Sequence, residues 1–138
     1  RPPISTLFPY TTLFRSRILL LVCYDLRFPV WSRNKSDYDL ILLVANFPEQ
    51  RRLAWNSLLL ARAIENQCYV AACNRVGADG NGVPHIGDSQ IIDPTGQILS
   101  MASPNKEDVI YSTLSMELLN SYRESFPAYM EADSFTID

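Results

Sequence analysis

The sequence is short of the features that mark several large classes of protein. Its 138 residues carry a net charge of -3, so no excess of positive charge points to nucleic acid or to an anionic membrane. No apolar stretch has the length of a membrane span. Three cysteines, an odd number without close spacing, argue against a disulfide framework and favour a reducing compartment. These absences leave one ordinary soluble domain, which we expect in the cytoplasm.

Patterns that bind metals or phosphates are missing as well. The cysteines and the one histidine, His85, do not have the spacing of a zinc site. The loop Gly77–Gly82 is rich in glycine but lacks the lysine and the following helix of a nucleotide-binding loop. We therefore expect neither a metal nor a cofactor.

The first 16 residues differ from the rest of the chain. They have no helical or strand period, and they lack the charged start, apolar core and cleavage site of a signal peptide. The segment is similar to a translated sequencing adaptor; the alternative is a native, partly disordered arm. We therefore treat residues 1–16 as an artefactual or disordered extension and residues 17–138 as the part that folds.

The remaining chain alternates between strands and helices. The apolar runs Ile18–Cys23 and Leu40–Val44 predict buried strands, and apolar residues at helical spacing predict a helix over Gln50–Asn66. Tyr69–Val76 is predicted as a third strand. Further predicted elements are a helical segment at Val30–Asn34, a hairpin of Ser89–Ile92 with Gln97–Met101, a strand over Val109–Leu114 and a helix over Met116–Arg123. This order is typical of a mixed α/β sheet.

Cys23 is the most informative residue of the chain. It ends the first apolar run, and α/β sheets usually place their chemistry at the carboxyl ends of strands. A short helix after Pro29 would bring free N–H groups close to the sulfur and favour the thiolate. The opposing interpretation is an inert, buried thiol, because free cysteine is among the most buried residue types.

The residues around Cys23 resemble a known family. The string Val22–Pro29 is similar to the nucleophile segment of the nitrilase superfamily, the carbon–nitrogen hydrolases. Similar segments follow in family order: Tyr38–Pro48, Trp55 with Ala61–Val70, Asn74–Gly77, Gly87–Ser89 and Asp93–Gly96. Within the family the chain resembles the ω-amidase-like branch, which removes ammonia from short ω-amides of dicarboxylic keto acids. The resemblance implies the C-terminal part of a four-layer αββα sandwich, the nitrilase fold.

The resemblance also implies a mechanism. Cys23 would attack the amide carbon and form a thioester, with the backbone N–H of Tyr24 and a lysine holding the oxyanion. A glutamate would relay protons to ammonia and from water. The family places this glutamate and lysine upstream of the cysteine, and residues 1–22 contain neither. We therefore expect this chain alone to be inactive or nearly so. With the upstream strands missing, an uncovered sheet face should also make it prone to aggregation.

Substrate contacts are expected where the next two strands end. Phe47 would form a wall of the pocket, and Asn74 leaves the third strand on the same side. Arg75 could pair with a substrate carboxylate through its planar guanidinium. The alternative for Arg75 is a surface or structural ion pair.

Other reactive or charged side chains are given structural roles. Cys68 and Cys73 are predicted to fill the core. His85 is predicted to face solvent from a loop, although a Cys23–His85 dyad is the rival arrangement for a nucleophile. Two ion pairs are expected, one between Asp25 and Arg27 and one between Arg62 and Glu65.

Three classes of function stay open. The favoured class is a hydrolase of linear amide C–N bonds, with a small amide as its substrate and a homodimer as its full-length form. The second is a non-catalytic assembly module that keeps a dimer surface at Val30–Asn34 and Tyr122–Asp138. A thiol-redox protein ranks last, because Cys68 lies far from Cys23 in sequence. Neither nucleic acid nor a membrane is expected as a partner.

Overall fold

The structure, a computed structural model, describes residues 16–136. The extension assigned to residues 1–16 therefore lies, apart from Ser16, outside the described residues. The described strands are β1 (Ile18–Val22), β2 (Leu40–Ala45), β3 (Tyr69–Asn74), β4 (Val76–Ala78), β5 (Pro84–Ile86), β6 (Gln90–Ile92) and β7 (Ile98–Met101). The α-helices are α1 (Arg52–Asn66) and α2 (Met116–Ser125), and short 3₁₀ helices span Cys23–Arg27, Pro29–Ser32, Glu49–Arg51 and Ala128–Glu131.

Five strands form one mixed sheet in the order β1-β2-β3-β6-β7. The first three are parallel, and β6 and β7 are antiparallel to their neighbours. Parallel neighbours need a crossover connection, which α1 supplies between β2 and β3. Strands β4 and β5 form a separate two-stranded ribbon. This is the mixed α/β architecture that the sequence predicts.

One face of the sheet packs against α1. The helix places Trp55, Leu59 and Ala63 four residues apart on one side, and all three are buried. Facing them are the inward side chains Leu19, Leu21, Ile41, Leu43, Val70, Ala72 and Ile92. Each large apolar side chain buried here contributes about 1.5–3 kcal/mol, so this layer holds the sheet and the strand ends in place.

The opposite face is covered only in part. Near the amino ends of the strands, Leu119 of α2 packs against Leu40 and Tyr69. Towards the carboxyl ends three side chains are largely exposed: Leu20 (46%), Val22 (60%) and Val44 (57%). The expected uncovered sheet face is therefore present, next to the turn that carries Cys23.

Several predicted elements are confirmed and others need correction. The helices and the hairpin are present, the latter closed by Asp93, whose carboxylate accepts hydrogen bonds from the N–H groups of Thr95 and Gln97. By contrast, Val109–Leu114 pairs with no strand of the described chain, so the predicted strand is wrong. A strand needs a neighbour for its N–H and C=O groups.

None of the helices in residues 16–136 is long and apolar enough to cross a membrane.

Several predicted boundaries also move. The first strand ends at Val22, because Cys23 already begins a 3₁₀ helix. The third strand ends at Asn74, and Val76 belongs to the β4–β5 ribbon, which the sequence did not reveal. The helical segment predicted at Val30–Asn34 is the 3₁₀ helix Pro29–Ser32.

Candidate active site

Cys23 is the first residue of the 3₁₀ helix that follows β1, and its backbone is strained. Its φ of 46° lies in the left-handed region, which costs a residue other than glycine about 1–2 kcal/mol. The thiol is half-buried. The carboxylate of Asp25 accepts a hydrogen bond from the N–H of Val22 at 3.0 Å and closes the turn. Such strain persists only where surrounding contacts hold it, and it is common for nucleophiles at strand-to-helix turns.

Tyr24 is the second residue of this 3₁₀ helix. The first N–H groups of any helix have no acceptor within the helix, and the backbone N–H of Tyr24 is one of these, as the predicted oxyanion role requires. Its side chain is exposed, and the ring meets Phe28 edge-on with 5.1 Å between centroids. The oxyanion role of Tyr24 stays a prediction.

The charged residues of the turn do not pair as predicted. Asp25 binds the Val22 N–H, whereas the guanidinium of Arg27 lies over the ring of Phe47, 5.7 Å from its centroid. The ion pairs within residues 16–136 do not include one between Asp25 and Arg27. A 3₁₀ turn of five residues directs the two side chains apart. The other predicted pair is confirmed, since Arg62 meets Glu65 at 2.7 Å.

Phe47 lies beside the turn that carries Cys23 rather than on an open surface. It is buried, and its ring packs against Trp55 with 5.3 Å between centroids. The guanidinium of Arg27 also lies over this ring. Phe47 thus connects the turn to α1, and its predicted contact with substrate stays a prediction.

The side-chain amide of Asn74 joins three segments. Its Oδ1 accepts from the N–H of Phe47 at 2.7 Å, and its Nδ2 donates to the carbonyl oxygens of Phe47 at 3.1 Å and Gly87 at 2.8 Å. The residue is buried. Asn74 therefore ties the exit of β2 to the end of β3 and to the following loop. A contact with substrate is untested and stays a prediction.

The loop Gly87–Ser89 is held by residues that sequence reasoning missed. Asp88 is fully buried, and both of its carboxylate oxygens bind Arg52, at 2.6 and 3.0 Å. Asn56 donates to the same carboxylate at 3.1 Å. Ser89 in turn accepts from the backbone N–H of Asn74 at 2.9 Å. The sequence signal that could have pointed to this contact is the spacing of Arg52 and Asn56, which are one helical turn apart and can therefore bind the same carboxylate.

A cavity of about 320 Å³ opens where β3 ends. Its lining includes the cationic residues Arg75 and Lys106, the acidic residues Glu107 and Asp108, and the thiol of Cys73. The guanidinium of Arg75 donates to the carbonyl oxygen of Ala78 at 3.1 Å and is otherwise exposed. Further lining residues are Asn74, Val76, Gly87, Ser89, Ala102 and Ser103.

The structure places the predicted site residues in two neighbouring groups. Cys23 and Phe47 lie at the 3₁₀ turn after β1, whereas Asn74 and Arg75 line the cavity. Both groups are at the carboxyl edge of the parallel strands. Strands β1 and β3 are separated by β2, which corresponds to about 10 Å along the edge.

The remaining cysteines and His85 divide between confirmation and correction. Cys68 is buried in the core, as predicted, and burial raises the pKa of its thiol to about 12. Cys73 is exposed, so its prediction as a core residue is wrong. In the sheet Cys73 lies opposite Val44, whose side chain is on the uncovered face, so the side chain of Cys73 points to the same face.

His85 is buried, contrary to the prediction of a solvent-facing loop residue. It belongs to β5, and its Nδ1 lies 2.9 Å from the carbonyl oxygen of Val83. The β4–β5 ribbon folds this side chain inward. In the part of the chain that the structure describes, no group of three or more His, Cys, Asp or Glu side chains is placed to hold a metal ion.

Comparison with known proteins gives the class to which this fold and this cysteine turn belong. The model of the family described as carbon-nitrogen hydrolase matches residues 2–124. The chain belongs to the carbon–nitrogen hydrolase family. The match begins inside residues 1–16, and the boundary expected at residue 17 stays a prediction.

Individual relatives place the chain more closely. It is 60% identical over 121 residues to omega-amidase YafV of Escherichia coli K12, covering 88% of this chain and 47% of the relative. It is 39% identical over 111 residues to 2-oxoglutaramate amidase of Bacillus subtilis, covering 79% and 42%. The crystal structure of XC1258 from Xanthomonas campestris, a CN-hydrolase superfamily protein with an arsenic adduct in its active site, superposes with a TM-score of 0.86 at 47% identity, over 89% of this chain and 49% of that one. The chain thus spans about half the length of these relatives.

Proposed function

We propose that the chain carries the nucleophile of an ω-amidase-like hydrolase that cleaves linear amide C–N bonds. The observation that carries the proposal is the strained, half-buried Cys23 at the carboxyl edge of the sheet. The 60% identity to a protein named omega-amidase supports the same branch.

The proposed reaction proceeds through a thioester. The thiolate of Cys23 attacks the amide carbon, and the carbonyl electrons move onto oxygen, where the N–H of Tyr24 faces them. The C–N bond then breaks, and the nitrogen takes up a proton and leaves as ammonia. Water adds to the thioester, expels the thiolate and releases the carboxylic acid. The proton relay and the second oxyanion donor are the glutamate and lysine that the family supplies upstream of the cysteine.

The proposed substrate is a short ω-amide of a dicarboxylic keto acid. Such a molecule carries its amide at one end and a carboxylate at the other. Arg75 and Lys106 line a cavity about 10 Å from the nucleophile strand, so the carboxylate would bind there while the amide reaches Cys23. Phe47 and Asn74 would form the surface of the pocket between the amide end and the carboxylate end of the substrate.

The proposed full-length form is a cytoplasmic homodimer. Around the second 3₁₀ helix, Val30 and Trp31 are half-exposed, and in the C-terminal part Phe126 and Met130 are more so. A groove of about 340 Å³ lies between these regions, lined by Pro29, Val30, Arg33, Glu65, Glu131, Ala132, Asp133 and Phe135. The same surface supports the alternative, a non-catalytic assembly module. Sedimentation of Trp31→Asp tests both, because loss of association is expected if this surface pairs.

The amidase proposal is tested with a chimera. The upstream half of the Escherichia coli relative is fused before Ile18, and ammonia release from 2-oxoglutaramate is measured. We expect turnover by the chimera, none by Cys23→Ala in the chimera and none by this chain alone. A well-folded chimera that releases no ammonia contradicts the proposed activity. Turnover that survives Cys23→Ala contradicts the proposed nucleophile.

A further inference from the structure

Arg62 of α1 reaches the turn that carries Cys23. It is 3% exposed, and its Nη2 donates to the carbonyl oxygen of Leu26 at 2.5 Å. Leu26 is itself 1% exposed and belongs to the same 3₁₀ helix as Cys23. A buried guanidinium from the outer helix layer therefore holds the nucleophile turn.

The sequence explains why this carbonyl needs a donor from outside the turn. In a continuing 3₁₀ helix the carbonyl oxygen of Leu26 would accept from the residue three positions on. That residue is Pro29, which has no N–H. A buried carbonyl without a donor costs about 1–3 kcal/mol, and Arg62 supplies the missing hydrogen bond.

Arg62 is itself fixed in place. Its Nη1 pairs with Glu65 at 2.7 Å. Its backbone carbonyl oxygen accepts from the side chain of Asn66 at 3.0 Å. Its Nε is buried with no hydrogen-bond partner among the described residues, so the hydrogen bonds of this guanidinium offset only part of the free-energy cost of burying it. The hydrogen bond to the turn gives a reason for a cation to be buried here despite that cost.

We propose that Arg62 is a positioning residue for the nucleophile and acts through the carbonyl of Leu26. The hydrogen bond anchors the end of the 3₁₀ helix, and Asp25 anchors its start through the N–H of Val22. Between these two anchors the backbone of Cys23 is kept at its positive φ. The inference rests on the proposed nucleophile but not on the proposed amide substrate.

The test compares the three cysteines within one molecule. The chain is treated with iodoacetamide, and the alkylation rate of each cysteine is followed by mass spectrometry of its peptide. Cys23 reports the turn, and exposed Cys73 is the internal reference at a protein concentration too low for association through its sheet face. Buried Cys68 becomes labelled only if the core opens. Because no amide turnover is needed, a failure here is separate from a failure of the amidase proposal.

The variants are Arg62→Met, Arg62→Lys and a matched control, Arg123→Met. Arg123 belongs to α2 and also donates to backbone carbonyl oxygens, those of Gln67 and Tyr38, away from the Cys23 turn. In Arg62→Met we expect the ratio of the Cys23 rate to the Cys73 rate to fall about tenfold, as for the loss of a charge-assisted hydrogen bond. Arg62→Lys, which keeps the charge and one donor, should restore part of the ratio, and Arg123→Met should leave it unchanged.

The rates are compared only at a temperature at which Cys68 stays unlabelled in every variant. The temperature is lowered until this condition holds. A ratio that is unchanged or raised in Arg62→Met under that condition overturns the proposal. An equal fall in Arg123→Met also overturns it, because the effect would then follow general destabilisation.

Discussion

The side-chain amide of Asn74 makes two hydrogen bonds to the backbone of Phe47, one to its N–H at 2.7 Å and one to its carbonyl oxygen at 3.1 Å. The amide thereby takes the place that a neighbouring strand would have beside the exit of β2. The ring of Phe47 in turn lies under the guanidinium of Arg27, which belongs to the same 3₁₀ helix as Cys23. A buried side chain at the end of β3 is thus connected, through one backbone segment, to the turn of Cys23.

Replacing Asn74 should weaken the fold from this point. Asn74→Asp removes both donors and sets a carboxylate against the carbonyl oxygens of Phe47 and Gly87. We expect the free energy of unfolding to fall by about 3 kcal/mol, measured by urea denaturation followed through tryptophan fluorescence. Exposed Asn81 offers the same substitution as a control, for which about 0.5 kcal/mol or less is expected. Equal losses of stability for the two variants would show that the hydrogen bonds of the Asn74 side chain do not stabilise the fold.

Acid should weaken the protein through Asp39. Burial by itself raises the pKa of this carboxyl, but hydrogen bonds from Arg17 and Arg123 outweigh it and hold the pKa at about 2. A folded-state pKa below the ordinary 3.8 stabilises the protein above that value, and the contribution is lost as the pH falls from about 4 towards about 2.

The urea midpoint of the protein should therefore decline through this pH window, and more steeply than that of Asp39→Asn. The variant should also be less stable by about 2–3 kcal/mol near neutral pH, because two guanidinium groups lose their partner. Asp133→Asn, at an exposed position, serves as the control. Identical pH profiles for the protein and Asp39→Asn would rule out this carboxyl as the acid-sensitive group.

Much of the sheet could be predicted because its signals are local. The runs that became β1 and β2 contain only apolar residues. The helix is predicted from Leu53, Ala54, Leu58, Ala61 and Ile64, but the face that packs against the sheet carries Trp55, Leu59 and Ala63, whereas Leu53 and Ile64 are exposed. The segment Val109–Leu114 is rich in β-branched and aromatic residues, which favour strands, but Val109 and Tyr111 are exposed. Composition describes a single segment, whereas a strand also needs a neighbour.

The candidate site could be predicted only in part, since it depends on register and on partners distant in sequence. Counting alternate residues from Val22 or Val44 does not reveal that their sheet face lacks cover, so the sequence alone predicts Cys73 in the core. The contact of Arg62 with Leu26 spans 36 residues. Its one local signal is Pro29, which deprives the carbonyl of Leu26 of a donor. Asp25 and Arg27 are close in sequence, which predicts an ion pair, but the 3₁₀ helix that contains them does not bring their side chains into contact.

Gly87 should tolerate no side chain, for two separable reasons. Its φ of 87° is in the left-handed region, and a Cβ would lie 2.8 Å from Cγ1 of Val76. Gly82 shares the positive φ but has open space, and Gly80 has neither constraint. We expect Gly80→Ala to be neutral within about 0.5 kcal/mol and Gly82→Ala to cost about 1–2 kcal/mol. Gly87→Ala should cost about 1–3 kcal/mol more than Gly82→Ala. Urea midpoints of the three variants measure the series, and equal costs at Gly82 and Gly87 would refute the steric contribution.

The uncovered sheet face should drive self-association of this chain. Leu20 and Val44 are about half exposed on it, whereas Leu43, next to Val44 on β2, is buried on the opposite face. Contiguous exposed apolar surface favours association. The double variant Leu20→Gln/Val44→Thr should therefore scatter less light at a given concentration and bind less of a hydrophobic dye, with little change in stability. Leu43→Thr, the control, should lower the free energy of unfolding by about 3 kcal/mol without that benefit. If the double variant associates as strongly as the parent, the contacts lie elsewhere, and the half-exposed surface around Trp31 becomes the next to substitute.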